Sequence, residues 1–166
     1  MKKFLIITGG SSGIGFATAK IFKDDGFEII NLSRSSINLD KAIHLEVDLS
    51  TSNWQKSLKS NFKDLLSSAD KICLIHNASK MQSDTVESFN DDDLREVIEV
   101  NLVGPSILNK IIIPFMNKGS SILYVGSTLS EKAVPQMSSY VMTIHWMIGL
   151  MRSKCQDLFG RFIHTA

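Results

Sequence analysis

Proline, cysteine, long apolar runs and an excess of either charge are all scarce in this chain of 166 residues. Eighteen Lys and Arg against seventeen Asp and Glu leave a formal charge of +1, which gives no electrostatic footprint for nucleic acid or for an anionic membrane surface. No stretch approaches the ~18 consecutive apolar residues of a membrane span. Met1-Lys2-Lys3 before Phe4 to Ile7 imitates a basic targeting segment, but the apolar run breaks into Thr8-Gly9-Gly10 without a cleavage site. The expected location is the cytoplasm, and the expected partner a small molecule or another protein. The two cysteines, Cys73 and Cys155, form no CxxC pair, and the histidines at 44, 76, 145 and 164 lack metal-ligand spacing. Reduced core thiols are favoured over a disulfide, and no metal is expected. With three prolines and neither a repeat nor a linker, residues 1–166 are expected to form one α/β domain.

What the chain does have is alternation. Apolar runs at Lys3–Thr8, Glu28–Leu32, Ile43–Val47, Lys71–His76, Ser121–Gly126 and Phe162–Thr165 predict six strands. Amphipathic stretches lie between them. Gly13 to Lys23 places Ile14, Ala17, Ile21 and Phe22 on one face, and Ser52 to Ser67 does so with Trp54, Leu58, Phe62, Leu65 and Leu66. A long helix is expected from Asp91 to Met116, with Asn90 as its cap, three aspartates in its first turn and a kink at Pro105. A last helix should run from Ser138 to Leu158, with Gly160 as its stop. Ser35 to Ala42 leaves room for one or two helical turns at most. Strands alternating with helices of this length imply a doubly wound parallel sheet of about six strands with helices on both faces.

The first strand runs into Thr8-Gly9-Gly10-Ser11-Ser12-Gly13-Ile14-Gly15. A pyrophosphate needs donors with no side chains in the way. Glycines at 9, 13 and 15 allow a tight turn and close backbone approach, and the following helix offers free N–H groups and a partial positive charge. No Lys-Ser or Lys-Thr follows the glycines, which argues against a mononucleotide P-loop. A turn of this kind can also serve the fold alone. At the end of the second strand stand Ser33-Arg34-Ser35, with no Asp or Glu to accept from a ribose 2′-hydroxyl. A guanidinium beside small hydroxyls suits a 2′-phosphate, so NADP is favoured and NAD is possible.

The spacing Gly-x-x-x-Gly-x-Gly after a threonine resembles the short-chain dehydrogenase/reductase family, and further landmarks agree along nearly the whole chain. Asp48-Leu49 closes the third strand, Asn77-Ala78 the fourth, Asn101 lies in Val100-Asn101-Leu102, and Tyr140 follows Ser127 by thirteen residues. The resemblance implies a Rossmann-type fold and hydride transfer between NADP(H) and a carbonyl or secondary alcohol. It implies Tyr140 as acid/base, Ser127 on the substrate oxygen and Asn101 as anchor of a water relay. It also implies cofactor contacts from Thr8, Gly9, Ser11, Ser12, Gly13, Ile14, Gly15, Ser33, Arg34, Asp48, Leu49, Asn77, Ala78 and Tyr140. Helices matching those around 91–116 and 138–158 pair members of the family into dimers and tetramers, so a homodimer or homotetramer is expected.

Two departures matter. Four residues after Tyr140, where the family carries a lysine, this chain has Ile144. An unassisted tyrosine, with a pKa of about 10, is only ~0.1% phenolate at neutral pH. Isoleucine offers neither charge nor donor, so the resemblance implies either an oxidoreductase or a catalytically impaired nucleotide-binding or scaffolding relative. His145 is turned ~100° away by one helical residue, and Lys154 is ~21 Å further along. The second departure is the ending at Ala166, which would leave the family's C-terminal lid and seventh strand outside the chain.

Overall fold

A computed structural model describes residues 1–161, Ser57 by its backbone alone, together with the backbone of His164 and Thr165. Six strands, β1 (Lys3–Thr8), β2 (Glu28–Ser33), β3 (Ile43–Glu46), β4 (Lys71–His76), β5 (Ser121–Tyr124) and β6 (His164–Thr165), form one sheet in the order β3-β2-β1-β4-β5-β6. Every pairing is parallel. Of the expected last strand, Phe162 and Ile163 lie outside the described residues.

Alternation along the strands sorts side chains between two layers. Phe4, Ile6, Ile30, Leu32, Ile72 and Leu74 face one side, where Trp54, Leu58, Phe62 and Leu66 of the α2 region (α2, Gln55–Leu66) cover them. Leu5, Ile7, Ile29, Cys73 and Ile75 face the other, against α1 (Gly13–Asp24). Neither cysteine forms a disulfide.

The expected face of α1 is corrected. Ile14 and Ile21 are 67% and 68% exposed, and it is Gly15 and Ala19 that are buried, flanked by partly buried Phe16 and Phe22. Small residues let the helix axis come close to the sheet, and that closeness decides which face turns inward. No helix forms between β2 and β3. Ile37, at 9% exposure, and Leu39 seal that edge from an irregular segment.

The expected long helix is four pieces: α3 (Asp91–Ile98), a π-helical turn (Glu99–Val103), α4 (Gly104–Ile112) and a 3₁₀ turn (Ile113–Phe115). Asn90 caps α3 by accepting from the N–H groups of Asp92 and Asp93 at 2.9 and 3.2 Å. The change of register precedes Pro105, which stands in the first turn of α4. Proline is tolerated there and has no N–H to return to the Asn101 carbonyl four residues back. The interruption is therefore the π turn, with Pro105 as its downstream neighbour. By length and composition Asp91–Phe115 is apolar enough to cross a membrane. It nevertheless buries Leu108, Ile111 and Ile112 in the core on the α2 side. A 3₁₀ turn (Thr128–Ser130) follows β5, and α5 (Ser138–Asp157) packs on that turn, on α3 and on the π turn.

His76 and Tyr124, the last residues of β4 and β5, stack with ring centroids 4.7 Å apart. Asn109 of α4 joins them: its Oδ1 lies 2.9 Å from His76 Nε2 and its Nδ2 donates to the Tyr124 hydroxyl at 2.6 Å. An amide oxygen can only accept, so His76 carries its proton on Nε2. Its Nδ1 has no hydrogen-bond partner among the described residues. Burial lowers the His76 pKa to about 4, the Asn109 bond opposing this and the positive field of Lys154 adding to it. The ring is neutral at pH 7.

Candidate active site

A sheet in this order reverses winding direction between β1 and β4, and the crevice beyond their C-terminal ends is where such sheets accept ligands. A cleft of about 640 Å³ lies there. Four strand ends line it: Gly9, Ser11 and Ser12 after β1, Ser33 and Arg34 at the end of β2, Asp48 and Leu49 after β3, and Asn77 and Ala78 after β4.

Hydrogen bonds between the loops fix this lining. Thr8 Oγ1 accepts from the N–H groups of Asn77 and Ala78 at 3.0 and 2.9 Å, and Asn77 Nδ2 donates to the carbonyls of Thr8 and Gly9 at 3.1 and 3.0 Å. Thr8 is thus a brace beneath the cleft rather than part of its wall. A Cβ on Gly15 would lie 2.3 Å from the Gly9 carbonyl oxygen and 2.5 Å from Asn77 Nδ2. Gly13, with φ +53°, has nothing within 4 Å of a built Cβ and faces open space. Ile14 is exposed on α1 and does not line the cleft.

The two long N-terminal ends differ in a telling way. While α3 has a capping side chain and three aspartates in its first turn, α1 has neither a side-chain cap bond from Ser12 nor an acidic residue in its first turn. Its first N–H groups thus keep no side-chain partner of their own, and Ser12 at that terminus lines the cleft, as an anionic ligand requires. The glycine cradle and this uncapped terminus fit a dinucleotide pyrophosphate.

Charges in the cleft alternate. Burial would raise the Asp48 pKa, but hydrogen bonds from the Ser50 hydroxyl and N–H, with the positive fields of Arg34 and Lys80, outweigh it and hold the carboxyl below its usual range. Arg34 is exposed and has no ion-pair partner among the described residues. Lys80 pairs with Glu96 of α3, and both line the cleft. Nothing in the sequence pattern singled out either Lys80 or Glu96. They are sixteen residues apart, and only the fold places them together.

The expected proton-transfer residues sit beyond this cleft's lining. Ser127 Oγ accepts from Leu129 N–H at 3.2 Å and caps the 3₁₀ turn against which α5, carrying Tyr140, is packed. No hydrogen bond engages the Tyr140 hydroxyl among the described residues. Asn101, 2% exposed in the π turn, accepts at Oδ1 from Lys80 N–H and Ser79 Oγ, and donates from Nδ2 to the Lys80 carbonyl and to Thr143 Oγ1. Thr143 Oγ1 in turn donates to the Tyr140 carbonyl at 2.9 Å. Asn101 therefore ties the loop after β4 to the turn of α5 that bears Tyr140. Ile144 is 2% exposed. His145 is exposed, its Nδ1 2.9 Å from the Val141 carbonyl. It borders a separate apolar groove with Val86, Phe89, Leu94, Val141 and Met142.

Comparison with known proteins bears on this geometry. Residues 3–164 match the family model described as short chain dehydrogenase. The chain is 27% identical to the 3-oxoacyl-(acyl-carrier-protein) reductase of Thermotoga maritima, over 98% of this chain and 71% of that protein. Among curated relatives the chain spans from 49% to 77% of their lengths. It superposes on 4-hydroxyisoleucine dehydrogenase complexed with NADH with a TM-score of 0.87 at 28% identity, covering 98% of this chain and 72% of that one. A metagenomic short-chain oxidoreductase in complex with NADP shares the fold, with a TM-score of 0.89 at 21% identity over 99% of this chain and 79% of that one.

Proposed function

The chain belongs to the short-chain dehydrogenase family, and on that footing we propose that it binds NADP(H) in the cleft beyond β1 and β4. Its chemistry is carbonyl–alcohol interconversion, limited in this sequence by Ile144. The observation that carries the reading is convergence. Residues from four strand ends, chosen in the sequence for dinucleotide contact, line one cleft at the switch point of a parallel sheet. The open N-terminus of α1 supports a pyrophosphate there. Arg34, without an ion-pair partner among the described residues and with Ser33 and Ser35 beside it in the lining, supports the 2′-phosphate of NADP over the bare ribose of NAD.

A nicotinamide bound at this site supplies or accepts the hydride. Tyr140 holds the proton exchanged with the substrate oxygen, and Ser127 donates a hydrogen bond to that oxygen. Asn101 sets the position of the turn bearing Tyr140 through Thr143. Ile144 supplies no positive field to stabilise a phenolate at Tyr140, its neighbour one helical turn earlier. A second reading, a nucleotide-binding relative with little turnover, is favoured by that same buried isoleucine. The apolar groove bordered by Val86, Phe89, Leu94 and Met142, together with Trp146 at 48% exposure, supports self-association through α3 and α5.

Calorimetric titration with NADPH and NADH tests the binding, and turnover of a carbonyl panel by the wild type and Ile144→Lys tests the chemistry. Tighter binding of NADPH, with turnover at least tenfold higher in the variant, is expected. Absence of binding by both nucleotides overturns the reading.

A further inference from the structure

Arg34 is one cation of the cleft; the other, Lys80, is built in more firmly. The peptide groups on both sides of its Cα are held by one carboxamide, its N–H donating to Asn101 Oδ1 at 2.7 Å and its carbonyl accepting from Asn101 Nδ2 at 2.8 Å. Asn101 is itself buried and bonded onward to Ser79 and Thr143. The root of the lysine is thus fixed in the cleft wall. The lysine stem reaches Glu96 on the facing helix α3. Both side chains line the cleft and remain open to water, at 26% and 36% exposure. An ion pair this exposed contributes little to folding, so stability does not account for an ammonium placed there.

The charges suggest another use. Asp48 and Glu96 balance Arg34 and Lys80 in the same lining, and a dinucleotide adds at least two phosphate charges to it. Lys80 carries three rotatable donors on a flexible stem, suited to passing from a carboxylate to a phosphate oxygen. Glu96 can then turn to solvent.

We propose that Lys80 is a phosphate-binding residue of the dinucleotide cleft, held by Glu96 until the ligand's phosphate takes that place. This rests on the cofactor reading above. The phosphate is either the pyrophosphate common to both nucleotides or the 2′-phosphate of NADPH alone.

NADPH and NADH are titrated calorimetrically into the wild type, Lys80→Met and Glu96→Gln, with melting temperatures recorded alongside. Loss of a charge-assisted bond to phosphate should weaken binding by roughly tenfold or more in Lys80→Met. Weakening of both nucleotides identifies the pyrophosphate, and of NADPH alone the 2′-phosphate; either supports the proposal. Glu96→Gln, which frees the ammonium, should bind several-fold more tightly than the wild type. If the wild type binds and Lys80→Met stays within twofold for both nucleotides, the proposal is overturned while the cofactor reading stands. If Lys80→Met does not fold, Glu96→Gln decides: tighter binding supports the proposal, and unchanged or weaker binding overturns it. If the wild type binds neither nucleotide, the cofactor reading falls and the proposal with it.

Discussion

Gly15 shows how much of the cleft depends on single atoms. A methyl group there would meet the Asn77 side-chain amide and the Gly9 carbonyl oxygen, and the second clash only movement of the backbone can relieve. Gly15→Ala is expected to destabilise the fold by about 1–3 kcal/mol and to weaken dinucleotide binding; urea unfolding and calorimetry check the two effects. Tyr140 is tested best where the chemistry is strongest. In the Ile144→Lys background, Tyr140→Phe should lower turnover by ~10² to 10⁴ with little change in NADPH affinity, as measured by steady-state kinetics beside calorimetry. The glycines and the order Ser127, Tyr140 were legible in the sequence because each is a local pattern. Lys80 and Glu96 were silent, since an ion pair spanning two elements leaves no local mark.

Helix ends carry a contrast that mutation can measure. Asn90→Ala removes a side chain that satisfies two N–H groups of α3 and should cost about 1 kcal/mol. Ser12→Ala removes no cap bond and should change the ligand-free stability by less than about 0.5 kcal/mol. Paired urea denaturation of the two variants checks the difference. The apolar runs that made β1 and β4 were plain in the sequence, because strands buried on both faces are continuously hydrophobic. The face of α1 was not. Periodicity put Ile14 and Ile21 inward, whereas the close approach allowed by Gly15 and Ala19 turned them to solvent. Nor was the π turn legible, for an extra residue in a helical register leaves the composition unchanged.

For the molecule as a whole, His76 ties stability to pH. Its folded pKa, about 4, lies below the ordinary value of 6.5, so between those values the unfolded chain binds the proton more readily. Stability therefore falls as pH drops through that window, by about 2 kcal/mol between pH 7 and pH 5 from this group alone. Urea unfolding at the two pH values should show the loss, and His76→Gln should lessen the dependence. The same sheet has a second, slower consequence. β1 and β4 are flanked on both sides by other strands, whereas β3 is an edge strand of half-buried residues reached through a segment without a helix. Its amides should trade hydrogen with water long before those at the centre. The cleft thus has a stiff wall beside the glycines and a compliant one carrying Asp48, and a ligand seated between them must spend part of its grip on quieting the compliant side.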